Sequence, residues 1–118
     1  YRTYIRVATL PSTEIPVMAL RDASTYQVSI RLDGSGNLKL WDEEDNAQIG
    51  STLTGAISTN TWYRLEIMYD FGTAGVGDTL AAASLNGNIF ATSSTQNHAN
   101  GARGVDAGIL ASLLLLHP

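Results

Sequence analysis

The chain has 118 residues, of which 44% are hydrophobic and 15% are charged, and its formal net charge is -4. This composition is too apolar for a disordered chain, and a chain of this length can bury one core without metal or disulfide support. The lack of cysteine excludes disulfides, thiolate metal sites and cysteine nucleophiles. Seven basic residues against eleven acidic ones argue against nucleic acid as a partner. The longest apolar run, residues 113–116, is far shorter than the roughly 20 residues that span a membrane.

The first half of the chain consists of short segments with a period of two, separated by turn residues. Strands are predicted over residues 3–10, 17–21, 26–32, 38–41 and 47–51. Residues 33–37, Asp-Gly-Ser-Gly-Asn, tolerate positive φ and therefore predict a hairpin that makes the strands on either side antiparallel.

The second half begins with the clearest alternation in the chain, residues 61–70. Tyr63, Leu65, Ile67 and Tyr69 share one face of this strand, and we expect them to share a core with the even-numbered residues of 26–32. Further strands are predicted over residues 79–85 and 89–92, joined by an Asn-Gly turn at residues 86–87. Residues 93–104 are predicted to be a polar loop, and 105–116 to hold one or two more strands.

Eight or nine short strands without a helix predict an all-β fold, a two-sheet antiparallel β-sandwich. The domain covers residues 1–118, either as the whole protein or as a segment of a longer chain.

Four segments carry a family resemblance: residues 26–32, the 33–37 turn with Leu-Lys-Leu-Trp, Asn-Thr-Trp-Tyr-Arg-Leu-Glu at 60–66, and Ser-Leu-Asn-Gly at 84–87. In this order they resemble the laminin-G-like branch of the concanavalin A-like lectin and glucanase superfamily. The resemblance covers residues 3–92 and implies a lectin-like sandwich of the jelly-roll type. Residues 111–117 stand where such domains often close with an aromatic and two aspartates.

No pattern in the sequence supports catalysis. The glycosidases of the superfamily carry acidic residues alternating along one strand, whereas the acidic residues 42–45 are consecutive and lie in a predicted turn. We interpret them as a solvated turn, with calcium binding as the alternative. His98 and His117 are predicted to be surface residues, and no serine lies in a nucleophile motif. We therefore predict that the protein is not an enzyme and has no catalytic residue, metal site or cofactor.

The residues that face away from the predicted core combine aromatic rings with arginines. They are Tyr4, Arg6, Gln27, Ser29, Arg31, Lys39, Trp41, Arg64 and Glu66. The candidate ligand-binding residues among them are Trp41, Lys39, Arg31, Arg64, Tyr4 and Arg6. Trp62 is interpreted instead as a core or rim anchor. Such a surface suits a sugar or a protein partner, but the same arginines could simply pair with acidic residues across strands.

The lectin-like resemblance, together with the lack of a catalytic pattern, implies a non-enzymatic recognition or attachment module that binds carbohydrate or another surface, carried on a secreted, cell-surface or virus-particle protein. The alternative is a structural or decoration domain of a phage or viral capsid or tail. Such a domain would pack against copies of itself or a shell protein, as a homo-oligomer or larger assembly. The apolar residues 113–116 favour a covering partner.

Overall fold

A computed structural model describes residues 1–23 and 25–107, which form nine strands. The strands are β1 (Arg2–Arg6), β2 (Ile15–Asp22), β3 (Thr25–Leu32), β4 (Leu38–Asp42), β5 (Ala47–Leu53), β6 (Trp62–Asp70), β7 (Thr79–Leu85), β8 (Asn88–Gln96) and β9 (Gly104–Ala107). No helix in the described residues has the length and apolar character needed to cross a membrane.

The strands form two antiparallel sheets that pack face to face. One sheet has four strands in the order β1-β6-β7-β8, and the other has five in the order β5-β4-β3-β2-β9. Every pairing is antiparallel, including β1 with β6, which are far apart in the chain. The predicted all-β, two-sheet antiparallel sandwich is confirmed.

The core lies between the sheets and follows the predicted alternation. Leu65 and Ile67 of β6 are fully buried in the same cluster as Val28, Ile30 and Leu32 of β3. Tyr63 and Tyr69 are partly buried and pack against this cluster. Each fully buried aliphatic side chain contributes about 1.5–3 kcal/mol to the transfer free energy of folding.

The alternation fails at Tyr26, which was expected to share the core with residues 28–32. Leu20 of β2 pairs with Val28, but Arg21 pairs with Tyr26, so Gln27 has no partner across β2. This β-bulge shifts the side-chain parity by one residue. Tyr26 is accordingly outside the core cluster, and its hydroxyl donates to Asp106 of β9 at 3.2 Å.

Several predicted strand limits also need correction. β1 ends at Arg6 rather than at residue 10 because the chain then leaves the sheet, and the carbonyl of Val7 accepts a hydrogen bond from Asn60 at 2.7 Å. The predicted loop 93–104 contains the end of β8, which continues to Gln96, and the start of β9. Of the strands predicted within 105–116, the structure shows β9, while residues 108–118 lie outside its described part.

The two predicted hairpin turns are confirmed. Between β3 and β4, the Asp33 N–H donates to the Asn37 carbonyl at 3.1 Å, and Gly36 has a φ of 80°. Between β7 and β8, Asn86 and Gly87 have φ values of 51° and 88°. Both central residues of that turn therefore have the positive φ that asparagine and glycine tolerate best.

Candidate ligand-binding surfaces

The six predicted ligand-binding residues do not form one site, because they lie on the outer faces of two different sheets. Arg31, Lys39 and Trp41 belong to the five-stranded sheet, and we call their surroundings the β3–β4 surface. Tyr4, Arg6 and Arg64 belong to the four-stranded sheet. Together with Arg2, Trp62 and Glu66 they form what we call the β1–β6 surface.

The β3–β4 surface is neutralised by its own ion pairs. Arg31 lies 2.8 Å from Glu43 and 3.5 Å from Glu14, and Lys39 lies 2.7 Å from Glu14. The Arg31 guanidinium also stands 4.7 Å from the centroid of the Trp41 ring, a cation–π distance. One face of Trp41 is therefore already covered, which reduces the ring surface left for a sugar.

Two further residues expected on this outward surface are buried. Ser29 lies opposite Trp41, but the pair formed by Arg31 and Glu43 covers it, and its hydroxyl donates to Glu43 at 2.5 Å. Gln27, at the bulge, is fully buried and neither polar atom of its side chain has a hydrogen-bond partner in the described residues. Neither side chain is accessible to a ligand.

The β1–β6 surface presents two exposed aromatic rings. Tyr4 is 47% exposed and Trp62 is 48% exposed, so Trp62 is not an anchor in the core. Tyr4 pairs with Arg64 and Arg6 pairs with Trp62 across β1 and β6. Tyr4 and Trp62 are thus diagonal neighbours on one face, a spacing of roughly 7–8 Å in antiparallel sheets. Trp62 could have been assigned to this surface, since it shares the parity of Arg64.

The charges of this surface are unbalanced. Glu66 accepts hydrogen bonds from Arg2 at 3.1 Å and from Arg64 at 3.0 Å, and the bond from Arg2 with the charges of both arginines lowers the pKa of Glu66. Arg6 has no carboxylate within ion-pair distance in the described residues, and Ser24 and residues 108–118 contain no acidic side chain. The β1–β6 surface therefore holds three of the chain's seven basic side chains, Arg2, Arg6 and Arg64, but only one of its eleven acidic side chains, Glu66.

His98 is fully buried, contrary to the expectation of a surface histidine. Its Nε2 lies 2.8 Å from Asp42 Oδ2, and its Nδ1 lies 2.7 Å from the Tyr69 hydroxyl. Burial disfavours the imidazolium, but the hydrogen bond to Asp42 and its charge outweigh burial and raise the pKa of His98. Burial raises the pKa of Tyr69, which stays neutral.

The acidic residues 42–45 are only partly the solvated turn that was expected. Asp42 is fully buried and Glu43 pairs with Arg31, while Asp45 is exposed. The described residues contain no group of three histidine, cysteine, aspartate or glutamate side chains placed to hold a metal ion.

A cleft of about 320 Å³ lies where the β5 and β8 edges of the two sheets meet. Its lining is mostly apolar and contains Thr52, Leu53, Leu85, Asn88, Ile89 and Phe90. None of these side chains titrates near neutral pH, so the cleft offers no acid or base for catalysis.

Fold and surfaces together define an antiparallel β-sandwich with two contrasting outer faces, one neutralised by internal ion pairs and one rich in exposed rings and arginines. No family model, curated protein or solved structure matches this chain significantly. The resemblance to laminin-G-like domains therefore rests on the sequence pattern alone.

Proposed function

We propose that this chain is a non-enzymatic recognition module that binds carbohydrate through the β1–β6 surface. The observation that carries the proposal is the pair of exposed rings, Tyr4 and Trp62, on adjacent strands beside Arg6 and Arg64. Aromatic rings offer flat apolar area to the C–H face of a sugar, and guanidinium groups donate several hydrogen bonds to hydroxyls or carboxylates. A module of this kind belongs on a secreted, cell-surface or virus-particle protein.

The excess of arginine on this surface favours a ligand with acidic groups. Glu66 is already shared by Arg2 and Arg64, whereas Arg6, which makes no ion pair within residues 1–23 and 25–107, lies opposite Trp62. A carboxylate or sulfate at that position would form charge-assisted hydrogen bonds. The β3–β4 surface offers an acidic ligand fewer uncompensated positive charges, because Arg31 and Lys39 form ion pairs with Glu14 and Glu43.

The test is a glycan array followed by calorimetry. One tryptophan on each outer face of the sandwich is substituted, so that the two variants form a matched pair. Trp62→Ala should weaken binding at least about tenfold, or about 1.4 kcal/mol, because a central aromatic contact is lost. Trp41→Ala should leave affinity unchanged. The opposite ranking would move the site to the β3–β4 surface, and an array without binding would refute carbohydrate recognition.

A structural or decoration role in a capsid or tail is the second candidate, and exposed apolar side chains favour it. Met68, Leu80 and Ile89 are 45%, 37% and 57% exposed on the four-stranded sheet. Exposed apolar side chains on a sheet face favour burial against a partner or another copy. Two results together would support this role: a stable oligomer in light scattering that Ile89→Lys dissociates, and a glycan array that shows no binding. A monomer at high concentration would count against self-packing.

A further inference from the structure

Asp42 and His98, which are fully buried, form a cluster with the partly buried Tyr69 that joins three separate parts of the fold. Asp42 is the last residue of β4 in the five-stranded sheet, and Tyr69 lies near the end of β6 in the four-stranded sheet. His98 lies in the segment between β8 and β9. The imidazole therefore bridges the two sheets and ties the segment that leads into β9 to both.

The hydrogen bonds of the cluster depend on the protonation of His98. Asp42 accepts backbone N–H bonds from Glu44 and Asp45, each at 3.0 Å, and so stays a good acceptor for the imidazole. With His98 protonated, both ring N–H groups donate, one to Asp42 and one to the Tyr69 hydroxyl. That hydroxyl is then free to donate to the Asn100 carbonyl, 3.2 Å away.

Loss of the proton changes this arrangement. Neutral His98 keeps one N–H, which the Asp42 carboxylate requires, so Nδ1 becomes an acceptor. The Tyr69 hydroxyl proton must then turn to Nδ1, and the Asn100 carbonyl loses its donor. The ion pair with Asp42 is lost in the same step.

The segment around His98 is also held by backbone contacts. Gly75 donates to the His98 carbonyl at 3.0 Å, and the Ala99 N–H donates to the Glu44 carboxylate at 3.1 Å. The charges of Glu44 and Asp45 face the imidazole from the β4–β5 turn and favour its protonated form. From β6 the facing group is the neutral hydroxyl of Tyr69.

We propose that Asp42, Tyr69 and His98 form a pH-dependent latch that holds residues 97–103 and β9 on the sandwich while His98 is protonated. Loss of the proton loosens this segment and leaves β2 as the edge of its sheet, because β9 pairs with β2. Since the pKa of His98 is raised in the folded state, the stabilisation is complete below its ordinary value of 6.5. It is lost as the pH rises through the folded-state pKa.

The latch also weakens in acid, through Asp42. Burial opposes its ionisation, but the bonds from His98 and from the backbone of Asp45 and Glu44 lower the pKa of Asp42 below the ordinary 3.8. Its contribution is present above that value and is lost as the pH falls further. The latch is therefore strongest between about pH 4 and pH 6.5.

Hydrogen exchange of residues 99–107 between pH 5.5 and 9 tests the latch, with each rate divided by its intrinsic chemical rate. Between 6.5 and the folded-state pKa of His98, the opening equilibrium should rise about tenfold per pH unit. Amides of β3 are the internal reference and should show no such rise. His98→Gln, which cannot titrate, should remove the dependence.

Two further variants keep the test decisive if His98→Gln fails to fold. His117→Gln leaves His98 as the single histidine, so its NMR titration can be followed directly. Asp42→Asn should lower the midpoint of that titration. A midpoint at or below 6.5 in the His117→Gln protein, or pH-independent opening of β9, would overturn the proposal.

Discussion

Leu65 and Met68 lie on the same strand but face opposite sides of the four-stranded sheet. Leu65 is fully buried between the sheets, whereas Met68 is 45% exposed. Leu65→Ala should lower the free energy of unfolding by about 2–5 kcal/mol, because it removes buried methyl groups and leaves a cavity. Met68→Ala should change it by less than about 0.5 kcal/mol. Urea unfolding measures both, and equal losses would contradict the assigned faces.

The burial of single residues could be predicted where the alternation along one strand determines it. The prediction failed where residues distant in the chain determine burial. Leu65 and Ile30 could be assigned to the core because alternation along their own strands is enough. The burial of His98 depends on Asp42, which lies 56 residues earlier in the chain. Nothing in the polar residues around His98 signals that partner, so the histidine was assigned to the surface.

At the scale of elements, the turn between β3 and β4 depends on a glycine that contacts a neighbouring segment. Gly36 has a φ of 80°, and a Cβ at this position would lie 2.5 Å from the Ile57 carbonyl oxygen. Gly55 has a φ of 62°, but a Cβ there would meet nothing within 4 Å. The two glycines therefore share the strained backbone and differ in the close contact.

Alanine substitutions at these glycines separate the two effects. Gly55→Ala should cost about 1–2 kcal/mol, the penalty of a left-handed conformation for an L-residue. Gly36→Ala should cost more, because it also disturbs the hydrogen bond from Ile57 to the Gly36 carbonyl, 2.9 Å long. Urea midpoints measure the difference. Equal losses would mean that the loop containing Ile57 moves away without cost.

The turns could be predicted because their residues encode a backbone conformation, but the bulge in β3 could not. Asn86 and Gly87 have the positive φ values that asparagine and glycine tolerate best. The bulge at Gln27 arises from how β2 pairs with β3, so the alternation of β3 alone wrongly placed Tyr26 in the core. Strand limits failed for a related reason, because a strand ends where its pairing with neighbouring strands ends, and the sequence does not show that pairing.

At the scale of the whole molecule, the division of the predicted site between two sheets follows from strand order. Alternation showed that Tyr4 and Trp41 face away from the core, but it carries no information about which sheet holds each strand. β1 pairs with β6 and β4 pairs with β3, which puts the two rings on opposite sides of the sandwich. A single ligand site from both surfaces is therefore excluded by geometry.

The stability of the whole sandwich should fall in acid, because several carboxylates are more acidic in the folded state. Burial opposes ionisation of Asp33, but backbone N–H groups of Asn37 and Ser35 lower its pKa, and the backbone of Thr73 lowers the pKa of Asp78. With Asp42 and Glu66, these groups stabilise the fold above their ordinary values of 3.8 and 4.5. That stabilisation is lost as the pH falls through their folded-state values.

Urea unfolding at intervals from pH 6 to pH 3 should therefore show little change down to about pH 5 and a progressive loss below it. Asp33→Asn cannot titrate at this position, so it should start less stable at pH 6 and lose less between pH 5 and pH 3. If general repulsion between positive charges caused the loss, added salt would restore most of it. If the loss of stability comes from the local hydrogen bonds of these carboxylates, much of it should persist in added salt. A protein whose stability does not fall in acid would contradict the assigned carboxylate contacts.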